Sequence, residues 1–208
     1  MAETNPTERR ESTSSTARYV GIYPTHYEVT LATLGSHHDR PIAMERLLAG
    51  GRGGDLRRFH RYERAVRQTL DAIWTGAPPA AVAIRGQTFK GHTWAHVELL
   101  ELGGLLRLRL LEWDWPLMEV SPWELMRFAT DEVSPACEAL VASVRTAWGY
   151  EAADLQSTLA YLLAHVARAA LRPVDYTPSR AEIAGRQLRV QWGAPADTCP
   201  HRRCGVNG

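Results

Sequence analysis

Lysine is nearly absent from this sequence: of 24 basic residues only Lys90 is not an arginine, a bias that reads as a GC-rich coding preference and excludes nothing. Cysteine is scarce as well. Three in 208 residues give no disulfide framework, so a reducing, cytoplasmic setting is expected. The most apolar long stretch, 97–113, is interrupted by Glu98, Glu101, Arg107, Arg109 and Glu112, which excludes a membrane span, and no apolar signal-type run opens the chain. Charge of one sign is not in excess. With 24 basic against 23 acidic residues, a net charge of +1 and a pI near 7.8, a surface built wholly for polyanions is excluded, though a local basic face is not. There is no phosphate loop of the Walker type, no dinucleotide fingerprint and no nucleophile elbow. What is present is 45% hydrophobic residues, enough for one core of roughly 150 residues with tails.

Residues 1–16 are polar and without apolar periodicity, and read as a disordered tail. A domain is expected over 17–172, followed by a partly loop-like extension over 173–208 that holds one strand, Gln187 to Trp192. Within the domain, Arg18 to Leu34 reads as a hairpin turning at Pro24-Thr25-His26. Pro41 to Leu48 is either a third strand or a helical turn, and Gly50 to Gly54 break the chain. From Asp55, placed to cap, to Trp74 the apolar residues recur at helical spacing. The run Ala80-Ala81-Val82-Ala83-Ile84 reads as a strand buried on both faces, and a helix before a buried strand implies a parallel crossover. A Leu-rich helix over 93–113 follows, with Gly103-Gly104 in position to let another backbone approach. Leu117 to Val120 is a short strand. Ser121-Pro122 starts a helix, Ser134-Pro135 repeats the device before Ala136 to Trp148, and a last helix runs from about Ala152 to Leu171. The fold class is α/β, a mixed sheet flanked by helices.

This order, and several local strings between about residues 18 and 170, resemble the RuvC Holliday-junction resolvases of the RNase H-like superfamily. Tyr19-Val20-Gly21-Ile22-Tyr23-Pro24 is similar to the family's opening hydrophobic-Gly-Ile-Asp-Pro signature, with Tyr23 at the first catalytic Asp. Val82-Ala83-Ile84-Arg85 resembles its hydrophobic-Ile-Glu strand end, with Arg85 at the catalytic Glu, and Phe89 lies in the Phe-containing segment beyond. Asp154-Leu155-Gln156-Ser157-Thr158-Leu159-Ala160, followed by His165, is similar to the closing Asp-x-x-Asp-x-Leu-Ala helix. In that register Asp154 matches the first Asp and Ser157 replaces the second. A second register puts Glu151 and Asp154 on the two acids.

The resemblance implies an RNase H-like fold of the RuvC type, a homodimer through the Leu-rich helix, and a nuclease site with two divalent ions. Such a site needs several carboxylates converging on ions about 4 Å apart, and the first register keeps one of the four. At about 4 Å and an effective dielectric near 20, unit charges interact by roughly 4 kcal/mol, so the Arg85 guanidinium opposes a divalent ion by about twice that. A millimolar Mg²⁺ site is worth only about 4 kcal/mol. Arg85 is therefore expected to pair with Asp154, a cation standing in for the lost ion. No metal cofactor is expected unless Mg²⁺ or Mn²⁺ serves an atypical site built from Glu151, Asp154 and Asp131 or Glu132.

The family's phosphate-contacting lysines fall at Met126 and Cys137, neither of which can neutralise a phosphate. Candidate nucleic-acid contacts are Phe89 and Lys90, an aromatic beside a cation, together with Arg127 and Arg145. The helix from Asp55 adds Arg57, Arg58, Arg61, Arg64 and Arg67, the largest basic cluster, which is either a DNA-facing surface or a solvated helix face. Cys199, His201 and Cys204 supply three of the four ligands that zinc requires, and His37-His38-Asp39 reads as polar loop. The first functional expectation is a catalytically degenerate RuvC-like protein that binds branched or duplex DNA without cleavage. The alternatives are an active atypical junction endonuclease and a non-enzymatic interaction scaffold.

Overall fold

A computed structural model describes residues 17–50, 55–87 and 93–191. The expected tail 1–16, Phe89, Lys90 and the Cys199, His201 and Cys204 group lie outside the described residues. Five strands form one sheet in the order β3-β2-β1-β4-β5. β1 (Arg18–Pro24) and β2 (Glu28–Gly35) make the antiparallel hairpin, and β3 (Ala43–Leu48) adds antiparallel at its edge, which settles the strand-or-helix alternative for that segment. β4 (Ala81–Arg85) pairs parallel with β1, and β5 (Leu117–Val120) parallel with β4, as a crossover requires.

The alternation of side chains divides two cores across this sheet. Val20, Ile22, Val29, Leu31, Val82 and Ile84 face α1 (Asp55–Ile73) and α2 (Trp94–Glu112). Tyr19, Ala32, Leu34, Ala81, Ala83 and Met118 face α3 (Pro122–Thr130), α4 (Cys137–Trp148), α5 (Leu155–Leu171) and α6 (Pro178–Gln191). Covered on both sides, β2 is buried along its whole length. Gly21 explains the glycine of the opening string: a Cβ there would stand 2.0 Å from the Ala160 carbonyl oxygen and 2.4 Å from the Ala164 nitrogen. Only a residue without a side chain lets α5 lie this close on β1.

Several local expectations are corrected. Gly103 meets the side chains of Gln87 and Arg107, while Gly104 faces open space, where another backbone has room to approach. Ser121 does cap α3, accepting from the Glu124 N–H at 3.2 Å, but α4 starts one residue after Ala136, with no side-chain cap. Ser134-Pro135 therefore stands outside its helix and only sets the entry. The last long helix begins at Leu155, not Ala152, because the Asp154 carboxylate takes the Ser157 N–H at 2.8 Å and so fixes the N-terminus at 154. Beyond Pro173 the described chain is not loop or strand. A short 3₁₀ turn, Pro173–Asp175, leads into α6, and Ile183 and Ala184 join the core. The strand expected over Gln187 to Trp192 is helix as far as Gln191. The overlooked signal is Thr177-Pro178, the same hydroxyl-proline start as Ser121-Pro122, with the Thr177 carbonyl accepting from Ala181 at 2.9 Å.

Candidate functional site

α5 runs antiparallel to β1. Near its C-terminal end Arg168 reaches the carbonyl of His38 at 2.8 Å, its middle crosses Gly21, and its N-terminus lies at the sheet end where β1 and β4 finish. Tyr23, Arg85, Asp154 and Ser157 are thereby gathered at one end of the sheet. Ile22 and Ile84 are in register across β1 and β4, which sets Tyr23 beside Arg85. Their relation is aromatic: the Arg85 guanidinium lies 4.8 Å from the Tyr23 ring centroid, and its Nη1 makes a long 3.4 Å contact to the Pro24 carbonyl. Burial raises the Tyr23 hydroxyl above its ordinary value, an effect that Arg85 opposes and does not cancel.

The expected Arg85 to Asp154 pair does not form. Asp154 is held by Arg46, whose Nη1 is 2.6 Å from Oδ2, while the Nη2 of the same guanidinium binds both oxygens of Glu28 at 2.8 and 2.9 Å. Cross-strand register produces this contact. Arg46 pairs with Thr30 across β2 and β3, and Glu28, two residues before Thr30, projects to the same face. Glu28 is only 3% exposed, so it needs a cation, and Arg46, 46% exposed at the sheet edge, reaches over to supply one. Burial by itself would raise the Asp154 carboxyl. The Ser157 N–H and hydroxyl and the Arg46 charge outweigh that effect and hold it below the usual carboxylate range. Beside this bridge the Thr30 hydroxyl is buried with no hydrogen-bond partner among the described residues.

Glu28 and Arg46 were missed by sequence reasoning, although each leaves a trace. A carboxylate between Tyr27 and Val29, at the start of an apolar strand, demands a partner, and the arginine that answers it is on the neighbouring strand. A cation does reach Asp154, but it comes from Arg46 on β3 and not from Arg85. Register chose it: β3 lies on the α5 N-terminal side of the hairpin, whereas Arg85 is drawn to the ring of Tyr23.

The donor set does not fit a pair of divalent ions. Of the four positions at which the resemblance implies acids, three hold Tyr23, Arg85 and buried Ser157 instead, and both oxygens of Asp154 are engaged, by Ser157 and by Arg46. In the alternative set, Glu151 is exposed, Glu132 is exposed, and exposed Asp131 serves as the left-handed C-cap of α3 at φ 61°. No group of three His, Cys, Asp or Glu side chains able to hold a metal occurs among the described residues. His37-His38-Asp39 is loop, anchored by Arg168 through the His38 carbonyl and the Asp39 carboxylate.

The basic candidates are dispersed. α1 covers the opposite sheet face from Asp154, with Arg57 and Arg64 exposed and Arg61 half-buried. Arg58 is withdrawn from the surface: it is buried, its Nε lies 3.0 Å from Glu101, and its guanidinium is 5.0 Å from the Trp94 ring centroid. Arg67 pairs with Glu63 along the helix. Arg127 and Arg145 are exposed in the last turns of α3 and α4, where cations suit the helix dipole. Arg145 borders a cavity of about 340 Å³ together with Cys137 and Leu155. His165, aligned by the resemblance, is wholly buried between Trp148, Tyr161 and Tyr176, with Nδ1 2.8 Å from the Tyr176 hydroxyl. Burial first, then Arg168 and Arg180, push its pKa well down, so it is a neutral structural group.

No protein-family model matches the chain, and no curated protein matches it. Solved structures do. RuvC of Thermus thermophilus in complex with Holliday junction substrate is similar with a TM-score of 0.59 and 20% identity, over 75% of this chain and 96% of that one. A second structure of Thermus thermophilus RuvC gives a TM-score of 0.57 and 19% identity, over 74% and 96%. A mixed five-stranded sheet in the order β3-β2-β1-β4-β5, with a helix seated on the first strand and an acid at that helix's N-cap, is thus the RuvC type of RNase H-like fold.

Proposed function

We propose that this chain binds branched DNA on a RuvC scaffold without metal-dependent cleavage. The observation that carries the reading is the Arg46 bridge: at the sheet end where the fold gathers its catalytic acids, a fixed guanidinium joins Glu28 to Asp154, and Arg85 stands on the neighbouring strand. Arg46 occupies both carboxylates, Glu28 and Asp154, which leaves neither free for Mg²⁺ or Mn²⁺, and Arg85 is the cation left to meet a phosphodiester. The related RuvC fold was captured with a Holliday junction, which makes branched DNA the first substrate to test. Three scattered cysteines suit a reducing, cytoplasmic setting.

A homodimer through α2 completes the reading. Trp94, Val97, Gly104, Leu108 and Leu111 fall on one stripe at alternating three- and four-residue spacing, and Leu108 and Leu111 are 53% and 63% exposed. Glu101 interrupts the stripe and is neutralised by Arg58. A helix that is apolar on its outer face as well as its core face suits a second copy of the same helix across a two-fold axis.

The deciding experiment incubates the purified chain with a labelled four-way junction and with linear duplex, in Mg²⁺ or Mn²⁺, and reads binding and cleavage across salt. Junction binding without nicking is the expected result. Metal-dependent nicking that is lost in Asp154→Asn would establish the endonuclease alternative, and absence of both signals the scaffold alternative.

A further inference from the structure

At the other side of the β4 end, a pocket of about 260 Å³ opens between the β1–β2 turn and the start of α2, lined by Thr25, His26, Arg85, Ala95 and His96 with Tyr27 and Leu99 at its walls. Its chemistry is one-sided. Arg85, His26 and His96 line it, and among the described residues no carboxylate does. Glu28 on β2 and Glu119 on β5 are already held by Arg46 and Arg107. Arg85 has no ion-pair partner among the described residues, only the Tyr23 ring and the long contact to Pro24. A guanidinium carries five N–H donors, so most of its capacity is unspent. His96 is oriented by Thr93, whose hydroxyl lies 2.9 Å from Nδ1, leaving Nε2 as its free edge. α2 contributes from its backbone too. It has no side-chain cap, and only the N–H groups from His96 onward bond back to Thr93, so that of Ala95 at the pocket is one of the first-turn donors without an intrahelical acceptor.

We propose that this pocket is a phosphate site, taking one backbone phosphate of bound DNA between Arg85, His26, His96 and the first turn of α2. The inference rests on the DNA-binding reading above and deepens it by assigning a role to Arg85: the side chain that excludes a metal ion is the one that holds the anion. Its volume is several times the roughly 30 Å³ share of one water molecule, enough for a phosphate group with part of its hydration.

The test has two arms. In the first, the imidazole protons of His26 and His96 are followed by NMR while inorganic phosphate is added, against sodium chloride at matched ionic strength. In the second, four-way junction affinity is measured across salt for the wild type, Arg85→Gln, His96→Gln and Arg85→Lys. The expected result is a saturable phosphate shift that Arg85→Gln abolishes. Junction affinity should fall roughly 5- to 20-fold and the salt slope by about 1 in Arg85→Gln, with a substantial part regained in Arg85→Lys. Absence of a phosphate-specific shift overturns the proposal, as does unchanged junction affinity and slope in both neutral variants of a protein that binds DNA. If the wild type binds phosphate here and binds neither junction nor duplex, the DNA reading falls, and with it the assignment of this pocket to DNA, while the anion pocket itself stands.

Discussion

The two ends of α5 are tied down by ion pairs of opposite polarity. At the N-terminus the helix offers the acid, Asp154, and the sheet offers the cation, Arg46; at the C-terminus the helix offers the cation, Arg168, and the 36–39 loop offers the acid, Asp39. Both arrangements suit the helix dipole, so polarity alone does not distinguish them. Burial does. Arg168 is 5% exposed and is further held by the Tyr176 hydroxyl at 2.7 Å and the His38 carbonyl at 2.8 Å, whereas Arg46 is nearly half exposed. A tie of the first kind is closed structure. One of the second kind leaves a charged site facing solvent at the end of the sheet, which is where a ligand has room to act.

The sharpest way to break this contrast is to remove the buried cation. Arg168→Met removes a buried cation that ties the Tyr176 hydroxyl, the His38 carbonyl and the Asp39 carboxylate together, and should lower unfolding stability by about 3 kcal/mol, read by chemical denaturation. A loss under 1 kcal/mol would erase the distinction between the two ends. His165, beside Arg168, sharpens it through pH. Its folded pKa is depressed, so the unfolded chain binds the extra proton, and stability is complete above about pH 6.5 and is lost as pH falls below it. The slope attributable to this one site approaches 1.4 kcal/mol per pH unit until the folded value is reached. Denaturation midpoints of the wild type and His165→Asn between pH 7 and pH 5 should diverge accordingly, the variant being the flatter. At the open end, Arg46→Met leaves buried Glu28 without its cation and should lower the thermal midpoint by roughly 5 °C. Adding Glu28→Gln should recover much of that loss, which a role in surface packing alone would not predict.

These ends also differ in how far the sequence reveals them. The hairpin, the parallel crossover, β5 and the Ser121-capped α3 are all local signals: alternation, a buried run between breakers, a hydroxyl before proline. The RuvC resemblance rested on the spacing of such strings, and the observed fold is the one it named. Gly21 was legible as part of a signature, while its reason, a helix backbone against β1, belongs to tertiary structure. The placement of Tyr23, Arg85, Asp154 and Ser157 at one sheet end follows from the same spacing. What did not follow was who pairs with whom. Arg46 and Asp154 are 108 residues apart, and their meeting depends on β3 adding at the hairpin edge with Arg46 opposite Thr30, a segment whose strand character was itself ambiguous. Arg58 misled for a related reason. Helical spacing places it among exposed arginines, and only the packing of α2 on α1 shows that it turns inward to Glu101.

The smallest expected effect lies at Asp154, and its sign separates capping from the charge bridge. Because Ser157 and Arg46 hold its folded pKa below the usual carboxylate range, the stability it contributes is fully present above the unfolded value and is lost as pH falls towards and through the lower folded value. Asp154→Asn keeps a cap-competent oxygen for the Ser157 N–H but gives up the charge opposite Arg46. At neutral pH it should cost at most about 1 kcal/mol, since the partner guanidinium is largely open to solvent and retains Glu28. As pH falls through the depressed folded value the wild type and variant curves should converge, because the wild-type carboxyl then loses the same charge. A variant that stays separated from the wild type once acid has protonated the wild-type carboxyl would mean that the loss is in the cap, and that the bridge to Arg46 does not contribute to holding the helix end on the sheet.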